Sequence, residues 1–405
     1  MYANMKRMNN EMAVSPIVAT LVLIVVAVIG AVAVGTIMGT FSTQVSKQAS
    51  SSQAASASQN EIIIAGSTTA IPVEQNIAAD YERANPGVQI NVQGGGSSVG
   101  PQSVALGIAD IGAVSGASTI TSAVTNNPTS QIYQNLYFTQ IGGRGVVFIQ
   151  SANTSYPNGN AFSYGSNGGI AAGDVAAIYN NLYSDGTIDV GTFNSKVTAA
   201  DVVAVNTAGN ISVYQREAGS ATMGTAFKWA GLTTTQQSNG VTNALTATSN
   251  AALLADVQAG TGAKPAFGFV DSGYAITGGS SSNTTASGIS VVDIYANSHV
   301  YVPTHINIKN ALKDWYYGKA QDTTVVTSSP AAYESLNVNY PQGLVGGLYW
   351  ITTGSAPSTF NGNQITEGTS SASSIVTGLI QFAKSPNEVT AFSNAGVYSM
   401  YDFIN

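Results

Sequence analysis

Cysteine is absent from all 405 residues, which excludes a disulfide scaffold, thiol catalysis and any zinc site built on sulfur ligands. Charge is the second scarcity: Asp, Glu, Lys and Arg make up only 8% of the chain, against about 25% in an ordinary soluble domain. The balance is acidic, with 20 carboxylates against 13 Lys and Arg and a formal charge of −7. A nucleic-acid partner held by counterion release is therefore not expected. Arginine is sparse too, with four in the chain, Arg7, Arg83, Arg144 and Arg216. A chain so poor in charge either lies largely in a membrane or is solubilised by neutral polar groups.

Long apolar runs are also few, and one stretch holds the membrane-like character. No charged residue occurs from Met12 to Ser46, and Ile17 to Met38 is almost wholly apolar. As a helix, that run spans the roughly 30 Å of a bilayer core. Lys6 and Arg7 precede it, so the positive-inside rule leaves the N-terminus cytoplasmic and everything after Lys47 outside the cell membrane. The organisation expected is a leader at 1–11, a hydrophobic transmembrane or pilin-like helix at 12–45, and a tether rich in Ser, Ala and Gln at 46–60. A cleaved signal peptide is the alternative; the apolar run exceeds the usual length of about 7–15 residues and no A-x-A site ends it. For 46–60, helical continuation of the stalk competes with a flexible tether.

Asn10-Glu11-Met12-Ala13-Val14-Ser15-Pro16-Ile17-Val18-Ala19-Thr20 resembles the N-terminus of archaeal type IV pilins. That resemblance implies processing by a prepilin peptidase and a retained helix serving as anchor or assembly stalk, with self-assembly through the helix as one outcome.

Beyond the tether, short β-branched runs alternate with amphipathic stretches, the pattern of an α/β domain. Ile62 to Ala65 reads as a buried strand ending in Gly66-Ser67-Thr68-Thr69. Pro72 sits where a first helical turn accepts proline, and Val73, Ile77, Tyr81 and Ala84 repeat at helical spacing. A hydroxyl-rich turn entering a helix offers free N–H groups and a dipole to an anion, or else simple capping by Ser or Thr. The next unit repeats this form: a strand over Val88 to Gln93, then Gly94-Gly95-Gly96-Ser97-Ser98-Val99-Gly100 and a short helix from Gln102 to Leu106. No Lys-Ser/Thr pair follows, so this is no Walker loop. A third segment, Tyr214-Gln215-Arg216-Glu217-Ala218-Gly219-Ser220-Ala221-Thr222, leads into a helix with Ala226, Phe227, Trp229 and Ala230. There Arg216 offers a guanidinium fork to an oxyanion, or a surface salt bridge to Glu217.

Those segments, with Ala109-Asp110-Ile111-Gly112, resemble in order and spacing the four binding segments of the phosphate-binding proteins of phosphate ABC transporters. Ala266 to Val270 resembles that family's return strand, and Ile375 to Phe382 with Ser385-Pro386 its C-terminal helix. The resemblance implies a two-lobed periplasmic-binding-protein-like (type II) α/β domain after the N-terminal helix. Lobe I would be 61–147 with 271–405, lobe II 148–270, with crossings near Val146–Ile149 and Phe267–Val270. It implies capture of inorganic phosphate or a similar tetrahedral oxyanion for an ABC permease, no catalysis, and neither cofactor nor metal. Thr68 and Thr69 would donate through backbone and hydroxyl, Ser97 and Ser98 from the glycine loop, Arg216 through its fork, and Gly219, Ser220, Ala221 and Thr222 from the helix start. Asp110 would accept the proton that phosphate keeps and sulfate lacks; capping of the next turn is its other role.

Three departures from the family stand out. Ala221 occupies a usual glycine position and is strained there if φ must be positive. Ser115-Gly116 replaces a common Ser-Arg pair, and Arg144, near the hinge, either restores that charge or lies in a solvated loop. The stretch 299–340 reads as an insertion, and His299 and His305, off a common helix face, as structural. Asn153, Asn210 and Asn283 head glycosylation sequons. The competing function is a pilin-like structural or adhesive subunit whose head keeps the fold. A phosphatase lacks support, since no His/Asp cluster or activated nucleophile pair is visible.

Overall fold

The computed structural model describes residues 60–152, 162–164, 169–196, 202–204, 210–261, 264–277, 283–296, 299–321 and 340–404. The leader, the apolar helix and the tether, Asn60 excepted, lie outside them. Among the described residues no helix is long and apolar enough to cross a membrane.

The chain builds a two-lobed α/β fold around a curled mixed sheet. The first strand, β1 (Glu61–Gly66), is followed by α1 (Ile71–Ala84), β2 (Gln89–Gln93), α2 (Val99–Ala105), β3 (Ile111–Val114) and α3 (Ala117–Asn126). The long β4 (Leu136–Ser151) comes next, then α4 (Ala172–Asn180), β5 (Thr187–Asp189), β6 (Asn210–Arg216) and α5 (Ala221–Trp229). Further on are β7 (Leu245–Ala247), α6 (Asn250–Gln258), β8 (Ala266–Asp271), β9 (Ile289–Val292), α7 (His305–Tyr316), β10 (Val345–Ala356) and α8 (Ser374–Ala383). The strand order is β2-β1-β3-β10-β4-β8-β6-β5. The β1 strand lies parallel to β2 and β3, as the intervening helices require, and β6 runs parallel to β8. Antiparallel β10 and β4 join the two parallel sets.

Apolar periodicity explains most of these elements. In α1, Val73, Ile77 and Tyr81 face inward at four-residue spacing, Pro72 sits in the first turn, and Asn85 closes the helix. Ala84, expected on that stripe, is exposed; Ala78 and Glu74 are buried instead. One core gathers Ile62, Ile64, Ile111, Leu348 and Trp350 with α1 and α8. A second gathers Val146 to Ile149, Phe227, Leu253, Phe267 and Phe269. Tyr301, Ile308, Leu312 and Tyr340 belong to that second core, so the described parts of the 299–340 stretch are packed into the domain rather than appended to it.

All of β4 is buried. Its first part, Leu136 to Gly145, pairs with β10, and from Val146 onward it pairs with β8. The two segments expected to cross between lobes therefore lie side by side, Val146 opposite Asp271 and Gln150 opposite Phe267.

Candidate functional site

The carboxyl ends of β1 and β3, the start of α5 and the end of β8 converge where the lobes meet. Ligands of open α/β sheets gather outside the carboxyl ends of strands, because the loops and helix starts there present unpaired N–H groups. Gly66, at φ +142°, turns the chain out of β1; a Cβ there would stand 2.2 Å from the Ala113 carbonyl oxygen. That turn sets Ser67, Thr68 and Thr69 at the boundary. The cap of α1 is Ala70, with no side-chain cap bond, so simple capping does not account for these hydroxyls.

Arg216 is buried at 1% exposure. Its Nε and Nη2 each donate at 2.8 Å to the Glu217 carboxylate, and Nη2 also donates to Thr68 Oγ1 at 2.8 Å, across the lobe boundary. The fork expected to grip a ligand is thus occupied by Glu217. Only Nη1 is buried without a partner, as is Ser67 Oγ in the opposing turn. Buried donors left unpaired are costly, about 1–3 kcal/mol and more when charged, so these two atoms call for an acceptor.

Arg144 answers one departure from the family pattern. It is fully buried, and its Nη2 lies 4.0 Å from where a Cβ of Gly116 would stand. That same Cβ would meet Ala221 Cβ at 3.0 Å. Gly116, Ala221 and Arg144 are therefore one spatial arrangement: the missing side chain at 116 leaves room for a guanidinium from β4. Arg144 Nε donates to the Ser115 carbonyl at 2.6 Å, Nη1 to Asp271 Oδ1 at 2.9 Å, and Nη2 to Thr225 Oγ1 at 2.9 Å and the Ala221 carbonyl at 3.1 Å. Register explains the ion pair: Asp271 stands opposite Val146, so Arg144, two residues earlier, is its diagonal neighbour on the same face. Ala221 opens α5 as an ordinary helical residue, and the positive φ falls on Gly219 (+78°), so the feared strain at Ala221 is absent.

Asp271 is the carboxylate that sequence reasoning overlooked. Buried at 1%, its Oδ2 accepts from Thr69 Oγ1 at 2.6 Å, Thr222 Oγ1 at 2.6 Å and Asn250 Nδ2 at 2.7 Å. The available signal was a charge ending the wholly apolar run Phe267 to Val270; Asn250, at the start of α6, carried none.

The remaining expected residues sort as follows. Ser97 Oγ meets Ser115 Oγ at 3.0 Å and accepts from the Ser115 N–H. Ser98 faces Gly219, whose Cβ, if present, would lie 2.5 Å from Ser98 Oγ. Ser220 caps α5, its hydroxyl accepting from the Met223 N–H. Tyr274, not anticipated, donates to the Thr68 carbonyl at 3.2 Å. Burial and the Asp271 charge push its phenol up to about 12, against an opposing pull from Arg216, so it stays a donor.

Asp110 is not brought to this cluster. It is exposed at the opposite end of β3, where its carboxylate accepts from the Ile63 N–H at 2.8 Å. Five strand steps of about 3.3 Å separate it from Ser115. It fastens β3 to β1, so the expectation that it reads a ligand proton fails on position. His305 is buried, its Nδ1 2.8 Å from the Tyr398 hydroxyl; the His299 side chain is outside the described set.

No family model matches the chain, and no curated protein matches it, so the pilin-like reading of the N-terminus rests on its residues alone. Solved structures do match. One, from Clostridium perfringens, is described as a phosphate ABC transporter substrate-binding protein with bound phosphate; it is 15% identical, covers 84% of this chain and 100% of its own, with a TM-score of 0.50. The fold is periplasmic-binding-protein-like. An ABC-type phosphate transport receptor from Vibrio cholerae is 17% identical over 83% of this chain and 99% of its own, at a TM-score of 0.48. At these identities the binding-protein likeness is one of fold.

Proposed function

We propose that the domain after residue 60 captures a tetrahedral oxyanion, inorganic phosphate first among them, between its two lobes and delivers it to an ABC permease. The apolar helix at 12–45 would anchor it on the outer face of the membrane. The lobes would divide at 147/148 and 270/271, with β4 and β8 as the crossing strands. The role is one of binding, not catalysis.

One observation carries this reading: Arg216 Nη1, at the end of β6 and shortly before α5 in the chain, is buried and unpartnered. A guanidinium nitrogen enclosed by protein is satisfied by an anionic oxygen at small cost. Thr68 adds a donor, since its oxygen accepts from Arg216 and its proton stays free.

Titration calorimetry of the full chain in detergent, with phosphate and then sulfate, tests this. Phosphate should bind, and Arg216→Ala should weaken it by about 100-fold, the scale of a lost charge-assisted hydrogen bond of about 1.5–3 kcal/mol plus a missing charge. The second reading, a surface subunit whose head keeps the fold, draws on the pairing of each site arginine with its own carboxylate, Arg216 with Glu217 and Arg144 with Asp271. Absence of heat with every oxyanion would favour it.

A further inference from the structure

We propose that β2 is a pairing edge for a second copy of this chain, the two β2 strands running antiparallel about a two-fold axis through Asn91. The inference concerns the outer edge of the sheet and does not depend on what the lobes bind.

The β2 strand ends the sheet: β1 lines one side of it, and among the described residues no strand lines the other. Edges of this kind are commonly guarded by a charged side chain, a proline or a bulge. Gln89-Ile90-Asn91-Val92-Gln93 has none of the three, and its pairing with β1 runs without a register shift. One contact identifies the outward groups. The Ile90 N–H donates to Glu82 Oε1 on α1 at 2.6 Å, so Ile90 turns its peptide groups away from β1. Strand alternation turns those of Val92 the same way. The outward set is then the N–H and C=O of Ile90 and of Val92.

A second β2 suits that set. The segment reads amide, aliphatic, amide, aliphatic, amide in either direction. Antiparallel pairing about Asn91 sets Ile90 opposite Val92 of the second copy, twice over, and each such pair exchanges two backbone hydrogen bonds. Every outward group of the strand is then used. Gln89 falls opposite Gln93 and Asn91 opposite itself; amides both donate and accept, and no like charges meet along the strand. Beside this edge, α1 and β2 border a groove of about 710 Å³ whose α1 wall is Gln75, Ala78, Ala79 and Glu82. The two alanines leave room for α1 of the second copy on the same face of the joined sheet. Glu82 is the opposing element, since it occupies the Ile90 N–H and would face its own copy across the axis.

The chain has no cysteine, so an introduced thiol is the only one present. In Asn91→Cys the two thiols would stand on the axis as a non-hydrogen-bonded pair, with Cα atoms about 4.5 Å apart, within disulfide reach. In Gln93→Cys the like residues would lie four strand steps apart, about 14 Å, and out of reach. Mild oxidation of the full chain in detergent, read on a non-reducing gel, tests the register. Asn91→Cys should dimerise at least about tenfold faster than Gln93→Cys or Gln89→Cys alone. An equal mixture of the latter two should crosslink where neither does by itself. Adding Glu82→Gln, which keeps an acceptor for Ile90 and removes the facing charges, should speed the Asn91→Cys crosslink by about twofold or more. Equal rates for the three single variants would mark random collision, or assembly through the N-terminal helix, and would overturn the pairing. So would a mixture that crosslinks no faster than its components.

Discussion

Glu74 is a carboxyl group enclosed in the first lobe's core, in the first turn of α1. Its Oε1 accepts from the Trp350 indole at 2.7 Å, and its Oε2 is buried without a partner. Burial pushes its pKa up to about 8, against the lowering effect of the indole bond. Because the folded pKa lies above the unfolded value near 4.5, the folded state holds the extra proton between these two pH values. Stability from this group is therefore full below about pH 4.5 and is lost as pH rises toward 8, by up to about 1.4 kcal/mol per pH unit. Glu74→Gln keeps the acceptor for Trp350 and cannot ionise. Urea denaturation from pH 5 to pH 8 should show a falling wild-type stability and a flatter variant; parallel curves would remove Glu74 as the source. Residues of this kind are the least legible from a sequence. An acid in a first helical turn reads as a surface charge on the dipole, and nothing local reveals that Trp350 covers it. Asp110 and Asp271 show the same limit: strand register alone puts one carboxylate at the far end of β3 and the other at the lobe boundary.

At the level of elements, much more was readable. Strands β1 and β2 and helices α1 and α5 follow from apolar pattern, proline placement and Gly or Asn signals, whereas β8 and α8 were legible only through the family resemblance. The glycine run 94–100 reads as a loop, either approaching a ligand or flexible, and its last member does something else. Gly100 lies inside α2, where a Cβ would stand 2.6 Å from the Ala113 carbonyl oxygen. Gly112, facing it, would place a Cβ 2.4 Å from the Gly100 carbonyl. Helix and strand thus touch backbone to backbone, which carries the end of β3 to Ser115. Gly100→Ala should destabilise the chain by about 1–3 kcal/mol through overpacking, seen as a lower urea midpoint at constant slope. Gly173→Ala is the matched control. Nothing lies within 4 Å of a Cβ there, and helix propensity favours alanine by roughly 0.5–1 kcal/mol. Such contacts escape sequence reasoning because a packing glycine and a loop glycine are the same letter.

For the whole molecule, the scarcity of charge shapes how a ligand arrives. The chain is net acidic, and the two arginines of the site each face their own carboxylate, so no long-range field draws an anion in. Association with phosphate should therefore show no fall in on-rate as NaCl rises from about 20 to 500 mM, whereas a steered encounter slows steeply as screening grows. Stopped-flow measurement distinguishes the two, and a tenfold fall would reveal a guiding field. Two-lobed architecture was legible here because several segments, in order, resemble those of a two-lobed family. The contacts at the boundary were not legible, since Thr68–Arg216 and Thr69–Asp271 join residues far apart in the chain.

The single strand β4 has a consequence of its own. Because Leu136 to Gly145 is counted against β10, with one register shift at Ile141, and Val146 to Gln150 against β8, both pairings take their register from one strand. Side chains alternate faces at every step of a strand. Losing or gaining one residue near Arg144 would therefore put the halves out of phase, turning Arg144 or Asp271 away from its partner while leaving each lobe's own segments unaltered. The one shift β4 carries, at Ile141, precedes this stretch, so from Gly142 to Gln150 the number of residues, and not only their kind, sets the Arg144–Asp271 pair.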